Sequence, residues 1–393
     1  MAVKIVRQTN KIALLGAPTS AAAMSAGHEG APTALRAAGL VDRLKSIGYV
    51  VADLGDDPVQ LYKPDEESPR ARNLSRVIAS LESLKPRVEL AVKSSALPLI
   101  LSGDCSVALA TVAGVRRYFR KVSMIYMDRD ADLNTPATTP SGCVDGMVVS
   151  HLAGRGAAEL VRFWGEPPLV REPDLALFGV ARLDPAEEKL LETSPLRRYL
   201  ASDVQRQGAA AAARAAIERV RGNGYQFVLH FDVDVIADFS ATNYPGSGGL
   251  SLAQVREALL VFAQQPELAA IEVAAYNPAK DPDGSGARLI IDLLVEVLEA
   301  RLATLQAAEA ALAPPPVAVA AAARTAAASP EKNNSAPNQS DQSDQSDQPE
   351  QAPVAAPGEA WSSDSLDLES DTVSSDESSE SPESSEESSG SHS

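Results

Sequence analysis

Five aspartates recur at two places in this 393-residue chain, with a spacing suited to cation chemistry. Asp128, Asp130 and Asp132 occupy alternate positions directly after the apolar run Val122-Ser123-Met124-Ile125-Tyr126-Met127. Asp232 and Asp234 follow Phe227-Val228-Leu229-His230-Phe231 in the same way. Carboxylates are hard oxygen ligands, and five of them in two motifs repel one another unless something positive lies between. A pair of divalent cations is the arrangement this implies. A strand feeding acids is also how an α/β fold presents ligands beyond the carboxyl ends of its sheet.

Motifs elsewhere extend the pattern. Gly103-Asp104-Cys105-Ser106 precedes Asp128-Arg129-Asp130-Ala131-Asp132-Leu133-Asn134-Thr135-Pro136, and His230-Phe231-Asp232-Val233-Asp234 follows. Gly16-Ala17-Pro18, Gly30-Ala31-Pro32-Thr33-Ala34-Leu35-Arg36 and Gly248-Gly249-Leu250 complete the series. In order, spacing and residue type the chain resembles the arginase-like ureohydrolase family, over roughly residues 10–305. The resemblance implies a three-layer α/β/α domain around an eight-stranded parallel sheet. It also implies two divalent metal ions, manganese in the family, that make water a nucleophile towards a guanidinium carbon. The metal ligands it implies are Asp128, Asp132, Asp232 and Asp234, with Cys105 and Asp130 standing where the family has histidines. Strand-end acids that merely cap helices are the plainer reading, but four at family spacing are hard to obtain by accident.

The departures change the chemistry expected. An aspartate in place of an imidazole adds negative charge, and a thiolate favours zinc or iron over manganese. Cys105 is equally well read as a small buried residue after a strand. Arg129 either neutralises the added aspartate or points into a helix interface. His230 shares a strand face with Asp232 and Asp234; it reads first as a core histidine or one behind the ligands, and second as a replacement for the lost imidazole. By resemblance Asp145 occupies the place of the family's proton-shuttling histidine, although an ordinary aspartate titrates well below neutrality. Ala275 occupies the place of the glutamate that pairs with the guanidinium, and Glu272 matches a family aspartate. The amino-acid end is better kept. Asn134 and Ser141 match residues that hold the α-carboxylate, Asp184 and Glu187 match those around the α-amino group, and Cys143 replaces an asparagine in the carboxylate loop.

Short apolar runs alternate with amphipathic segments, as a mostly parallel sheet covered on both faces requires. Strands are predicted over Ile12–Leu15, Val50–Leu54, Leu97–Leu101, Val122–Met127, Leu175–Phe178, Phe227–Phe231 and Leu268–Val273. Helices are predicted over Leu74–Leu84, Ala209–Arg221, Leu252–Gln264 and Leu289–Ala308. The globular domain is expected to span residues 1–310. Beyond it come Pro314-Pro315-Pro316, an Ala-rich stretch, three Ser-Asp-Gln copies over Ser340–Gln348 and an acidic Ser/Glu run. Few apolar residues and high like charge cannot offset the entropy of ordering, so residues 311–393 are expected to form a disordered, solubilising tail.

The net charge of −18 is concentrated in that tail. From Ala311 onward there are 16 acids and 2 Lys/Arg, leaving 37 acids against 33 bases in the remainder. A nearly neutral domain has no basic footprint for nucleic acid. Two cysteines argue against a disulfide framework and for a cytoplasmic setting. No apolar stretch is long enough for a membrane span or a signal peptide.

The resemblance implies a hydrolase of a guanidino C–N bond in a small amino acid such as arginine. Its metal site is degenerate, holding manganese by resemblance, or else zinc or no metal, and a homotrimer is implied by resemblance alone. The competing reading is a weak or inactive homologue that binds a ligand or co-assembles with an active enzyme. A scaffold serving the acidic tail ranks behind both. Agmatine is disfavoured as a substrate because it lacks the carboxylate that Asn134 and Ser141 would hold.

Overall fold

The computed structural model describes residues 7–221 and 225–312. Eight strands are present: β1 (Lys11–Ala17), β2 (Val50–Asp56), β3 (Leu97–Ser102), β4 (Val122–Met127), β5 (Leu175–Val180), β6 (Arg197–Leu200), β7 (Gln226–Asp232) and β8 (Leu268–Ala274). They form one sheet in the order β2-β1-β3-β8-β7-β4-β5-β6, and every recorded pairing is parallel. The longer helices are α1 (Leu74–Lys93), α2 (Ala108–Arg116), α3 (Pro185–Thr193), α4 (Ala209–Val220), α5 (Leu252–Ala263) and α6 (Ser285–Leu312).

Alternation along the strands builds two cores. Ile12, Leu14, Ile125 and Met127 pack on one face of the sheet with α4, α5 and α6. Ala13, Leu15, Met124 and Tyr126 pack on the other with α1 and α2. Burial on both faces is why the central strands read as unbroken apolar runs and not as polar–apolar alternations. Successive residues nonetheless point oppositely, so each strand end has a fixed choice of side for its last side chain.

The seven predicted strands all form, each within two residues of its expected limits. The eighth, β6, is an edge strand of four partly exposed residues, Arg-Arg-Tyr-Leu, with no apolar run to announce it. Helix α1 continues nine residues past its expected end at Leu84, through Pro86. A proline normally ends a helix because it lacks an N–H and crowds the preceding turn. Here the apolar stripe continues through Val88, Ala91 and Val92, and its burial keeps the helix going. The expectation for residues 311–393 lies outside the described residues, apart from Ala311 and Leu312, which close α6. No described helix is long and apolar enough to cross a membrane.

The strand order places later strands between earlier ones. β8 and β7 lie between β3 and β4, so four central strands end side by side. Ligand clefts in open α/β sheets form at such topological breaks, beyond the carboxyl ends.

Candidate functional site

A cleft of about 400 Å³ opens at the carboxyl ends of the central strands. Cys105, Asp128, Asp130, Asp132, Asp232 and Asp234 all line it, so the six expected metal ligands do converge. Their positions follow from the turns after each strand. After β3, Gly103 packs so closely on Thr19 that a Cβ would lie 1.8 Å from the Thr19 carbonyl oxygen. Asp104 then accepts hydrogen bonds from the backbone N–H of Ser106 (3.1 Å) and of Ala22 (3.0 Å). That turn delivers the Cys105 thiol, which donates to Asp232 Oδ2 over 3.0 Å.

The two acidic motifs use one device twice. Asp128 Oδ1 accepts from the Asp130 N–H, and Asp232 Oδ1 accepts from the Asp234 N–H, each over 2.7 Å. Each turn occupies one carboxylate oxygen; in Asp232 the other is the one that accepts from Cys105. Donor atoms of Cys105, Asp128, His230 and Asp232 lie within 4.8 Å of one another, as do those of Asp128, Asp130 and Asp234. Asp128 belongs to both groups, so the structure has two adjacent donor sets joined by one carboxylate. Asp132 falls outside both: its backbone takes a positive φ of 51°, and its carboxylate accepts from the Tyr126 hydroxyl.

The electrostatics are those of acids held together without enough positive charge. Burial, then mutual repulsion, pushes the Asp128, Asp132 and Asp232 carboxyls well above the ordinary range. Asp234 is pushed up to about 6, chiefly by burial and then by Asp130, with Arg129 pulling the other way. Burial, then the neighbouring aspartates, likewise raises the Cys105 thiol. A buried cluster that resists ionisation in this way is physically suited to a cation.

Two arginines meet part of that charge. Arg129 is buried, with Nη2 at 3.3 Å from Asp234 Oδ2, 3.5 Å from Asp130 Oδ2 and 2.8 Å from the Tyr244 carbonyl oxygen. Of its two expected roles, it takes that of neutralising the added aspartate. Arg182 pairs with Asp130 from the other side. Arg182 and Tyr244 were not singled out in the sequence. Arg182 follows β5 as the acids follow their strands, whereas nothing local marks Tyr244.

The amino-acid end is assembled on the cleft wall. Asn134, Ser141, Asp184 and Glu187 all line it. Asn134 Nδ2 donates to Asp184 Oδ2 over 2.7 Å. Asp184 and Glu187 also form the capping box at the start of α3. Glu187 accepts from the Asp184 and Leu133 N–H groups, each over 2.8 Å, which fixes its carboxylate in place. Cys143 is buried in the same loop and is not among the cleft-lining residues; its N–H donates to Ser141 Oγ over 3.1 Å.

Asp145 lines the cleft, accepting from the Tyr244 hydroxyl and, over 2.8 Å, from the Gly146 N–H. Burial, tempered by the Tyr244 bond and then reinforced by Asp104, pushes its carboxyl up to about 7. In the metal-free chain this brings the group nearer neutrality than an ordinary aspartate. Ala275 is fully enclosed at a positive φ of 67°, its N–H donating to the Gly103 carbonyl, and brings no carboxylate to the cleft. Glu272 points instead at His230: its Oε1 lies 3.1 Å from Nδ1.

Comparison with known proteins follows the same outline. The sequence model described as the Arginase family matches residues 10–299. The arginase of Bacillus subtilis (strain 168) is 28% identical over 294 residues, covering 74% of this chain and 98% of that protein. The arginase of Brevibacillus brevis is 29% identical over 293 residues, with the same shares covered. Among solved structures, arginase from Bacillus caldovelox superposes with a TM-score of 0.68 at 28% identity, covering 74% of this chain and 98% of that one.

Proposed function

Because this chain belongs to the arginase family, whose members are two-metal hydrolases of guanidino bonds, we propose that it hydrolyses the guanidino C–N bond of an α-amino acid, with arginine the first candidate. The observation that carries this reading is the composition of the cleft: Asn134, Ser141, Asp184 and Glu187 stand on its wall above a floor of carboxylates. In this reading Asn134 and Ser141 hold the α-carboxylate, and Asp184 and Glu187 face the α-ammonium. Fixing that end directs the substrate side chain towards the acids and removes much of the entropic cost of reaction.

The floor suits a divalent cation on its own chemistry. His230 Nε2 and Asp234 Oδ1 are buried and have no hydrogen-bond partner, and polar atoms are rarely left so without reason. Asp128, Asp232, Cys105 and His230 would hold a cation on one side; on the other, Asp128, Asp130 and Asp234 form a second donor group whose charge Arg129 already partly meets. A bound divalent ion lowers the pKa of water and stabilises charge developing on the reacting group.

The protein residues supply the proton. Hydrolysis joins the oxygen of water to the guanidino carbon, breaks the bond from that carbon to the side-chain nitrogen, and leaves an amine and urea. The departing nitrogen needs a proton. Asp145, raised by burial above an ordinary aspartate and held by Tyr244, is placed on the cleft wall to give it. The substrate guanidinium has no carboxylate at Ala275 to hold it, so arginine turnover should be slow. Agmatine, which lacks the α-carboxylate, should fare worse. The form implied by the family likeness is a cytoplasmic homotrimer.

Urea release from arginine and from agmatine, by protein reconstituted with manganese, zinc or cobalt, tests the reading. Slow release from arginine and none from agmatine is expected. Equal release from both would remove the assigned role of Asn134 and Ser141. Silence with arginine and with longer and shorter guanidino amino acids, under all three metals, would defeat the proposal.

A further inference from the structure

His230 is the least expected member of the two donor groups. It lies in β7, fully buried, with its ring stacked on Tyr126 at 4.2 Å between centroids. Tyr126 in β4 and Glu272 in β8 are its register partners on either side. Glu272 accepts from His230 Nδ1 (3.1 Å) and from the Thr111 hydroxyl (2.7 Å). A carboxylate can only accept, so the ring hydrogen sits on Nδ1 and the Nε2 lone pair is left free. That atom is buried without a partner and belongs to the donor group of Cys105, Asp128 and Asp232. A carboxylate behind a histidine whose other nitrogen faces other ligands is the usual way in which a metal-binding imidazole is oriented. One thiol, one imidazole and two carboxylates make a four-donor set of the kind that zinc and its neighbours take tetrahedrally.

The second donor group differs. Two of its three members, Asp130 and Asp234, are already paired with Arg129, and Asp130 also with Arg182. The Arg129 guanidinium occupies a built slot: a Cβ on Gly246 would lie 2.2 Å from Nη1. A divalent ion there would share Asp130 and Asp234 with the buried Arg129 guanidinium and set two positive charges against each other in a buried site, which is unfavourable.

We propose that this chain binds one metal ion tightly, on Cys105, Asp128, His230 and Asp232, and that the Arg129 guanidinium takes the place of a second cation. The inner ion is zinc-like in preference, because thiolate and imidazole favour zinc and cobalt over manganese. This deepens the proposed function and rests on the same cleft, but its test needs no substrate.

The experiment uses the full chain, stripped of metal and titrated with cobalt(II) and separately with manganese(II). Bound metal is counted directly and the cobalt spectrum recorded. We expect one tight cobalt per chain, with a thiolate-to-cobalt charge-transfer band. Manganese should bind at least about a hundredfold more weakly. Cys105→Ser should abolish the band, and His230→Gln should weaken cobalt binding by roughly a hundredfold or more. Arg129→Met should raise the stoichiometry from one to two, while Arg129→Lys, which keeps the charge, should leave it at one. Two tight ions in the unaltered chain would overturn the proposal. So would a charge-transfer band that survives in Cys105→Ser, unchanged affinity in His230→Gln, or a folded Arg129→Met that still binds one ion. If Arg129→Met does not fold, the stoichiometry and spectrum of the unaltered chain decide the matter. One bound cobalt without urea release would uphold this inference while counting against the substrate reading; two bound ions with urea release would do the reverse.

Discussion

Replacing Asp145 by asparagine should change stability in a direction that depends on pH. The Asp145 carboxyl is pushed from its ordinary 3.8 up to about 7 in the folded chain, first by burial. Below about pH 4 the group is protonated in both folded and unfolded states and carries no penalty. Between about pH 4 and 7 the unfolded chain loses this proton while the folded chain keeps it, so stability falls as pH rises. Above that window the loss is complete. At about 1.4 kcal/mol per pH unit it amounts to ~4 kcal/mol, undiminished by solvent because the side chain is buried. Asparagine does not titrate and escapes this cost. It has a cost of its own: the Tyr244 hydroxyl already accepts from the Met24 N–H and now donates to Asp145. An amide nitrogen cannot accept that hydrogen, which costs about 1–2 kcal/mol. The variant should therefore be less stable than the parent at pH 4 by about 1–2 kcal/mol, and more stable at pH 8 by about 2–3 kcal/mol. Denaturant unfolding of metal-free protein across this range measures the difference directly. The other buried acids titrate in both proteins and largely cancel. A stability difference that stays constant from pH 4 to 8 would refute the reasoning.

Three further outcomes follow from the same geometry. Asn134→Ala removes an amide that also steadies Asp184; steady-state assays should show kcat/KM for an α-amino acid substrate lowered by roughly tenfold, about 1–1.5 kcal/mol. Ala275→Glu inserts a carboxylate into a fully enclosed position; thermal unfolding should show a loss of about 2–4 kcal/mol, and urea assays should show little recovery of activity until the cleft floor is altered as well. Brief proteolysis should leave a stable fragment ending near residue 312, where α6 closes, with the melting temperature of the full chain; protection extending past Ser340 would contradict the expected tail.

Much of this architecture is legible in the sequence because a parallel sheet buried on both faces writes itself as short apolar runs. Val122–Met127 is such a run, and β4 has those limits. What escapes is decided by tertiary contact. Arg197–Leu200 gains its strand identity from pairing with β5, not from its own residues. The continuation of α1 past Pro86 depends on what its far end packs against. At the site, residue type and spacing place the aspartates correctly after their strands, because a turn after a strand is a local event. Spacing cannot say where a carboxylate's second oxygen points, so it does not separate Asp128 from Asp132. Nor does it show that Glu272, two strand positions from Ala274, lies behind His230, 42 residues away. Alternation along β7 puts His230 on the side of Asp232, but only the register with β8 tells an idle core histidine from an oriented one.

That register has a consequence for how the chain comes apart. Cys105, Asp128, His230 and Glu272 follow or belong to β3, β4, β7 and β8, which are the four central strands of the sheet. No contiguous segment shorter than the stretch from β3 to β8 contains the whole set. An ion bound as proposed on Cys105, Asp128, His230 and Asp232, with Glu272 in β8 orienting His230, would couple these strands into one cooperative unit and leave the edge strands β2 and β6 outside it. Amide hydrogen exchange should then slow on metal binding in β3, β4, β7 and β8 by far more than in β2 or β6, whose openings leave the ligands in place. The proposed metal site would in this sense be a clasp on the middle of the sheet, and loss of its ion should be felt first as loosening between strands that lie far apart in sequence.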